Sequence, residues 1–226
     1  MIDLHTHSKA SDGDYAPSDL VSLAREHGVS VLALTDHDTL DGIAQAREAA
    51  RQNHITFVPG IELSTNWGTT CIHVVGLHID TENDALKNAC IGAAQLRCER
   101  AEKINARFQS LGIENLLSEV HVLFPDVINV SRAHFARALL HRGVVKNEQE
   151  AFDRYLGTRA PAYVPTGWPE LRDAVSLIYR AGGIAVLAHP LRYRFDSPLA
   201  YDALVQSFVN AGGKALEVSS GSQVPQ

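Results

Sequence analysis

The chain has 226 residues, 45% of them hydrophobic, and a formal net charge of −6 at pH 7. This length fits one large domain or a domain with an insertion. The negative charge argues against electrostatic capture of duplex DNA, which needs a basic face, but permits a small ligand held through metal ions. No apolar run approaches the roughly 20 residues that cross a bilayer. The 3 cysteines lack metal-finger spacing and fit a reducing compartment, so we expect a cytoplasmic protein.

The N-terminal stretch Met1-Ile2-Asp3-Leu4-His5-Thr6-His7 predicts a short strand that ends in two histidines. Residues i and i+2 of a strand face the same side of the sheet. His5 and His7 would therefore point together, as two ligands of one metal ion do. A strand that carries two surface histidines is the alternative, and the rest of the chain has to decide between them.

Strand-like and helix-like segments alternate through the first 80 residues. Apolar runs at residues 2–4, 29–34, 55–58 and 71–77 predict strands. Helices are expected from Pro17 to Gly28 and over residues 41–52, because proline favours the first helical position and glycine follows a helix end. This alternation predicts a parallel sheet that is covered by helices.

Residues 84–157 show only helical patterns, at residues 85–111, 116–123, 132–142 and 148–156. We interpret residues 84–162 as a helical insertion between an α/β part of residues 1–83 and a second one of residues 163–226. In the second part, helices are expected at residues 169–180 and 198–211 and strands at residues 184–187 and 215–218. Within the insertion, the run Leu96-Arg97-Cys98-Glu99-Arg100 favours a solvated helix face over a phosphate site.

Histidines and carboxylates follow one predicted strand after another. They are His5 and His7, then Asp36-His37-Asp38, then Glu62, and finally His189. A buried histidine bonded to a backbone carbonyl could explain any one of them, but the carboxyl edge of parallel strands is where sites are built. Imidazole and carboxylate ligands without cysteine suit zinc, manganese or iron, and Glu62 could bridge two ions. Such ions activate water and neutralise charge on a phosphoryl oxygen.

Several motifs together resemble those of the PHP (polymerase and histidinol phosphatase) superfamily of phosphoesterases. They are His5-Thr6-His7 with Ser11-Asp12-Gly13, Thr35-Asp36-His37-Asp38, Gly60-Ile61-Glu62 and Ala188-His189-Pro190. The resemblance implies an α/β fold, a distorted (β/α)7 barrel that usually holds three metal ions.

The insertion resembles one branch of that family, the 3′,5′-nucleoside bisphosphate phosphatases, which includes 5′-to-3′ exonucleases acting on short RNA. The matching segments are Ile72-His73-Val74-Val75-Gly76-Leu77, Ser131-Arg132-Ala133-His134-Phe135-Ala136-Arg137, Lys146 and Tyr155-Leu156. The implied activity is hydrolysis of a phosphate ester by a metal-bound hydroxide. The implied partner is a small phosphorylated nucleotide or the 5′ end of a short RNA.

The resemblance also implies three partial ligand sets for two or three ions of Mn²⁺, Zn²⁺ or Fe²⁺. The sets are His5, His7 and Glu62 for one ion, Asp12 and His37 for a second, and Glu62 (bridging), His73 and His189 for a third. His73 is preferred to His78 because the family histidine precedes a Val-Val-Gly-Leu run. Asp36 and Asp38 are expected to orient ligands rather than to bind metal, direct binding being the alternative.

The insertion supplies two candidates for substrate binding, Arg132 and His134. A guanidinium fork matches phosphate oxygens in two-point contact, although a helix-start arginine and a partly buried histidine explain the same residues. Arg192 and Arg194 are weaker phosphate-binding candidates. No side-chain nucleophile is required, and His189 or His134 could assist proton transfer.

The family pattern closes with a Gly-Ser-Asp-x-His strand end, which this chain lacks. Ser219-Ser220-Gly221-Ser222 resembles the segment that precedes the family's last helix and strand. We therefore expect a barrel without its C-terminal part, and favour a truncated chain over a true loss of ligands. Two other functions stay open: a histidinol-phosphate phosphatase, and a non-catalytic module that binds metal or nucleotide.

Overall fold

Strands and helices alternate along the first part of the chain, followed by a block of helices, in the computed structural model of residues 1–193, 195 and 197–218. In chain order the elements are β1 (Ile2–Thr6), α1 (Pro17–Glu26), β2 (Val31–Leu34), α2 (Ile43–Gln52), β3 (Thr56–Trp67), β4 (Thr70–Leu77), α3 (Asp84–Ser110), α4 (Leu116–Leu123), α5 (Arg132–His141), α6 (Glu148–Ala151), a π-helical turn (Phe152–Leu156), α7 (Leu171–Arg180), β5 (Ile184–Leu187), a 3-10 turn (Pro190–Arg192), α8 (Pro198–Asn210) and β6 (Ala215–Leu216).

Local signals set several of the helix boundaries. Pro17 occupies the first turn of α1, where its missing N–H costs no helical hydrogen bond, and Gly28 follows the helix with φ +76°. Asn83 caps α3 by accepting a hydrogen bond from the Leu86 N–H. Ser131 caps α5 in the same way. For most helix ends, the observed boundary lies within two residues of the predicted one.

The sheet has the strand order β1-β2-β3-β4-β5-β6 and is mixed rather than parallel. β1, β2 and β3 are parallel, as are β5 and β6, but β4 runs antiparallel to both of its neighbours. The prediction of a parallel sheet is therefore wrong for β4. β3 continues for 12 residues and joins β4 through a two-residue turn in which Gly68 has φ +59°. Alternation at Ile61, Leu63 and Thr65 is the signal for this longer strand.

The sheet curls so that its two outer strands approach each other. Glu217 directly follows β6, and its Oε1 lies 2.5 Å from Nδ1 of His5 on β1. A flat six-stranded sheet would hold these strands apart by five strand spacings of about 4.8 Å each. The architecture is thus an α/β partial barrel, with helices packed on its outer face.

Separate apolar cores support the partial barrel and the block of helices. Ile61, Ile178 and Phe208 belong to the core between the sheet and the helices α7 and α8. Phe108 and Phe135 belong to another core, which the helices between Ala101 and Leu156 build together with the segment up to Val164. The 27-residue α3 joins the two cores, since Leu86 packs in the first. No helix in the described part of the chain combines the length and the apolar character needed to cross a membrane.

A buried ion pair lies between these two cores. Arg97 on α3 donates from Nε and Nη2 to Asp38 Oδ2, over 3.0 and 2.6 Å, and from Nη2 to Ser64 Oγ. The expected solvated face is therefore wrong for Arg97 and Arg100, which are 4% and 9% exposed. They are three residues apart and share one face of α3, whereas the intervening Cys98 and Glu99 are exposed.

We predict that Arg97→Met lowers the free energy of unfolding by about 3–5 kcal/mol, because Asp38 would be left buried without its partner. Urea denaturation at pH 7 measures the difference. Lys103→Met on the same helix is the matched control, since the Lys103–Glu99 pair is 65% exposed on both sides. The control should change stability by less than about 1 kcal/mol. A similar small loss in both variants would contradict the assigned role of Arg97.

Candidate metal centre

The centre of the site is Glu62, a buried carboxylate on β3 that five imidazoles surround. The Oε2 atom lies 3.2 Å from Nε2 of His5, 3.2 Å from Nε2 of His7 and 3.1 Å from Nδ1 of His37. The Oε1 atom lies 3.1 Å from Nδ1 of His73 and 2.9 Å from Nε2 of His189. The two oxygens thus serve different groups of histidines, which is the geometry of a bridging carboxylate.

The five histidines reach Glu62 from four parts of the sheet. His5 and His7 leave β1 on the same side, and their Nε2 atoms are 3.1 Å apart, as the i, i+2 spacing predicts. His37 follows β2 and makes a parallel bridge to Glu62 in the backbone. His189 follows β5 in a left-handed conformation with φ +31°. The carboxyl ends of β1, β2 and β5 therefore meet at one edge.

His73 reaches the same edge because β4 is antiparallel. It pairs in register with Ser64, two residues beyond Glu62, so the early part of β4 lies where the parallel strands end. His78, at the opposite end of β4, is exposed with φ +59° and belongs to none of the ligand groups in the described residues. The choice of His73 over His78 agrees with this geometry.

The arrangement of these atoms fits metal ions better than it fits direct hydrogen bonds. His37 Nδ1 and Glu62 Oε2 are 3.1 Å apart and fully buried, yet neither has a hydrogen-bond partner among the described residues. Two ligands bound at about 2.1 Å to one ion lie about 3.0–3.4 Å apart. The distances of 2.9–3.2 Å from the Glu62 oxygens to the ring nitrogens of His5, His7, His73 and His189 lie close to this spacing. Nitrogen and carboxylate donors suit zinc, manganese or iron.

The candidate ligands form one connected cluster rather than separate sites. Three groups have ligand atoms within 4.8 Å of one another: His5 with His7 and Glu62, His7 with Asp12 and His37, and His37 with Glu62 and His73. A neutral imidazole has a single free lone pair, so His7 and His37 can each bind only one ion. Asp12 Oδ2 lies 3.9 Å from His37 Nε2, which agrees with the expected Asp12–His37 pair.

The cluster balances its charges internally. Burial disfavours the Glu62 carboxylate, but the surrounding histidines outweigh it and hold its pKa well below the usual value. Burial lowers the pKa of His37 to about 3, which keeps this imidazole neutral. Burial opposes protonation of His5 and His73 as well, but hydrogen bonds and carboxylate charge raise the pKa of each to about 10.

Glu217 contacts the cluster although the sequence patterns do not predict it there. Its ionised carboxylate accepts a hydrogen bond from Nδ1 of His5 and, through Oε2, from the backbone N–H of His189 over 2.6 Å. Nε2 of His5 is thereby fixed toward Glu62, as in carboxylate–histidine–metal arrangements. The sequence predicts a strand over residues 215–218, which contains Glu217, whereas β6 ends at Leu216 and leaves this carboxylate at the strand end.

Asp36 and Asp38 lie beside the cluster and join none of the ligand groups formed by the described residues. Asp36 accepts hydrogen bonds from the Ser8 N–H, the Ser8 hydroxyl and the Ser11 hydroxyl, over 2.6–2.7 Å. It therefore fastens the loop that carries Asp12. Asp38 accepts hydrogen bonds from the N–H and the hydroxyl of Ser64, each over 2.7 Å, in addition to those from Arg97.

The insertion places its two candidate residues differently. Arg132 donates from Nη1 to Leu156 O over 3.1 Å and lies between the rings of Phe152 and Tyr163. His134 is 2% exposed and accepts a hydrogen bond from the Ser131 N–H at Nδ1. Its burial and this capping hydrogen bond favour a structural role.

Arg192 is exposed and lies in the 3-10 turn that follows His189. Arg194 and the Ser219-Ser220-Gly221-Ser222 segment lie outside the described residues.

Comparison with known proteins places this geometry in a family. A family model described as "PHP domain" matches residues 3–163. The 3′,5′-nucleoside bisphosphate phosphatase of Chromobacterium violaceum is 40% identical over 221 residues, which cover 98% of this chain and 77% of that protein. The 5′-3′ exoribonuclease of Haemophilus influenzae is also 40% identical over 221 residues, covering 98% and 80%.

A solved structure shows that the likeness extends to the fold. The structure of an amidohydrolase from Chromobacterium violaceum, with bound sulfate and no metal, superposes with a TM-score of 0.94 at 39% identity. The superposition covers 99% of this chain and 78% of that one. This chain therefore belongs to the PHP domain family.

Proposed function

We propose that the protein is a metal-dependent phosphoesterase that hydrolyses phosphate esters of nucleotides, with a nucleoside 3′,5′-bisphosphate as the first substrate. The observation that carries the proposal is the buried Glu62 carboxylate with five imidazole nitrogens around its two oxygens. The name of the Chromobacterium relative supports the bisphosphate. The name of the Haemophilus relative supports a second activity at the same site, removal of 5′-terminal nucleotides from short RNA.

We assign the ligands to two or three divalent ions, of manganese, zinc or iron. His5, His7 and Glu62 would hold one ion, Asp12 and His37 a second, and Glu62, His73 and His189 a third, in line with the contacts to the two Glu62 oxygens. Such ions supply an activated water and neutralise the charge that develops on phosphoryl oxygens. Glu217 and Asp36 hold His5 and the Asp12 loop in place for them.

The protein's own groups bind and orient the substrate. We propose that residues 84–162 form a cap in which Arg132 offers its remaining guanidinium nitrogens to a phosphate, with the exposed Arg192 as a second cation at the rim. His134 accepts a hydrogen bond from the Ser131 N–H at the start of α5 and would act through positioning. Nε2 of His189 faces Glu62, so we assign His189 to metal binding rather than to proton transfer.

The first test compares substrates. With added Mn²⁺, the protein should release phosphate from adenosine 3′,5′-bisphosphate at least about tenfold faster than from histidinol phosphate, for which none of the relatives reported above is named. A 5′-phosphorylated RNA of a few nucleotides should be shortened from its 5′ end. Phosphate release can be followed by a colorimetric assay and RNA products by electrophoresis. Activity on none of these substrates would favour a binding module over an enzyme.

The second test addresses Glu62 itself. Glu62→Gln replaces a bridging carboxylate by an amide whose NH₂ group cannot bind a metal ion, so we expect the loss of at least one ion per chain. Metal content after dialysis against Mn²⁺ is measured by mass spectrometry, and circular dichroism checks the fold. Glu82→Gln is the control, because Glu82 is exposed and pairs with Lys87 at the surface. Equal metal content in the two variants would remove the basis of the ligand assignment.

The third test concerns pH. The raised pKa values of His5 and His73 mean that both imidazoles hold a proton at pH 7 in the metal-free protein, and an ion has to displace it. The apparent affinity for Mn²⁺ should therefore increase between pH 6 and pH 8. Calorimetry in buffers of different ionisation enthalpy should show proton release on binding. Proton uptake, or an affinity that falls with rising pH, would contradict the charge balance described for the cluster.

A further inference from the structure

Tyr193 lies close to the point where the chain leaves the sheet after β5. In an antiparallel ladder, two directly opposed residues can exchange both of their backbone hydrogen bonds. The Ala188 N–H donates to the His73 carbonyl over 3.1 Å, but the His73 N–H donates over 2.8 Å to the phenolic hydroxyl of Tyr193. The hydroxyl thus takes the place that a strand carbonyl would hold beside β4.

A short turn explains how Tyr193 comes back to β4. His189 has a left-handed backbone with φ +31°, which takes the chain out of the ladder. The 3-10 turn that begins at Pro190 follows, and the Arg192 N–H donates to the His189 carbonyl over 2.9 Å. Tyr193 is the residue directly after this turn, so its side chain reaches the strand that pairs with β5.

The same side chain also contacts the ring of His189. The two ring centres are 5.6 Å apart and the ring planes make an angle of 59°. Tyr193 therefore contacts His73 through its backbone and His189 through its ring. Both histidines approach a single atom, since Nδ1 of His73 and Nε2 of His189 lie 3.1 and 2.9 Å from Glu62 Oε1.

Packing sets the orientation of the His189 ring. Its Nδ1 atom is buried and has no hydrogen-bond partner among the described residues, whereas Nδ1 of His5 is bonded to Glu217. The rings of His5, His73 and Tyr193 lie 5.8, 5.3 and 5.6 Å from the His189 ring. Of these three neighbours, Tyr193 is the one that is not itself a candidate ligand.

Further aromatic contacts hold Tyr193 in place. Its ring centre lies 6.3 Å from that of Phe195, which in turn meets Trp67 edge to face at 5.8 Å. Trp67 ends β3, the strand of Glu62, and its Nε1 donates to Ser207 Oγ on α8 over 3.1 Å. The sheet and α8 therefore both fix the position of the Tyr193 hydroxyl.

We infer that Tyr193 is a positioning residue that holds His73 and His189 together as two ligands of one metal ion. The inference rests on the proposed function, in which Glu62, His73 and His189 share an ion. Groups that contact the ligands without binding the metal fix the orientation of metal-binding imidazoles. Tyr193 does this for the Oε1 side of Glu62, as Glu217 does for His5 on the Oε2 side.

The first test removes the hydroxyl and keeps the ring. In Tyr193→Phe, the affinity for one Mn²⁺ ion per chain should fall by about 10- to 100-fold, while any other ion binds as in the wild type. Calorimetric titration of the metal-free protein with Mn²⁺ measures the affinities, and circular dichroism checks the fold. Tyr179→Phe is the matched control, because Tyr179 lies on α7 and is 76% exposed. It should leave every affinity within about twofold.

Two further measurements separate positioning from a general effect on the fold. His189→Ala already removes a ligand of the same ion, so adding Tyr193→Phe should change the remaining affinities by less than about twofold. Hydrogen exchange at the His73 amide should be at least about tenfold faster in Tyr193→Phe than in the wild type, because that amide loses its acceptor.

These readouts do not depend on activity. If the wild type binds metal but hydrolyses no ester, the proposed function fails while the titrations still decide on Tyr193. Unchanged Mn²⁺ affinities in Tyr193→Phe would overturn the inference. An equal loss of affinity for every ion, in the wild-type and the His189→Ala backgrounds alike, would also overturn it, because it would indicate a general loss of stability.

Discussion

The structure depends on the burial of one carboxylate, Glu62, in the middle of a curled sheet. A buried carboxylate is unfavourable unless cations or strong donors surround it. Here the surrounding groups are imidazoles, which can share protons when metal is absent and offer lone pairs when it is bound. Since these imidazoles come from four separate strands or strand ends, the folded sheet and the ligand cluster form together.

The reversal of β4 makes part of this convergence possible. An all-parallel sheet would place the start of β4 at the amino edge, away from the other ligands. The two-residue turn at Gly68 instead returns the chain at once, so that His73 comes back beside Ser64 on the neighbouring strand. One tight turn thus brings His73 to Glu62, and a crossover helix is not needed at this point of the barrel.

The sequence allowed the strands, the helices and most of the cluster to be predicted, because these follow from local patterns and from motifs at strand ends. His5, His7 and His37 lie where those patterns put them. The antiparallel β4 follows from a local signal, the two-residue turn at Gly68, which the prediction of a parallel sheet did not use. The burial of Arg97 and the role of Glu217 escaped prediction for a shared reason. Each depends on a partner distant in sequence: Arg97 meets Asp38 59 positions away, and Glu217 meets His5 212 positions away. No local pattern encodes such contacts.

Carboxylates lie on the side of the site that the sheet forms, and arginines lie in the helical insertion. The sheet supplies Glu62, Asp12 and Glu217, whose charges suit cations, while the insertion supplies Arg100 and Arg132, whose charges suit anions. Metal ions alone would neutralise only the carboxylates on the sheet side. A ligand whose phosphoryl oxygens contact metal on one side and guanidinium on the other neutralises both at once. In the function proposed above, the helical insertion would bind the anionic part of the substrate, and the sheet would bind the metal ions.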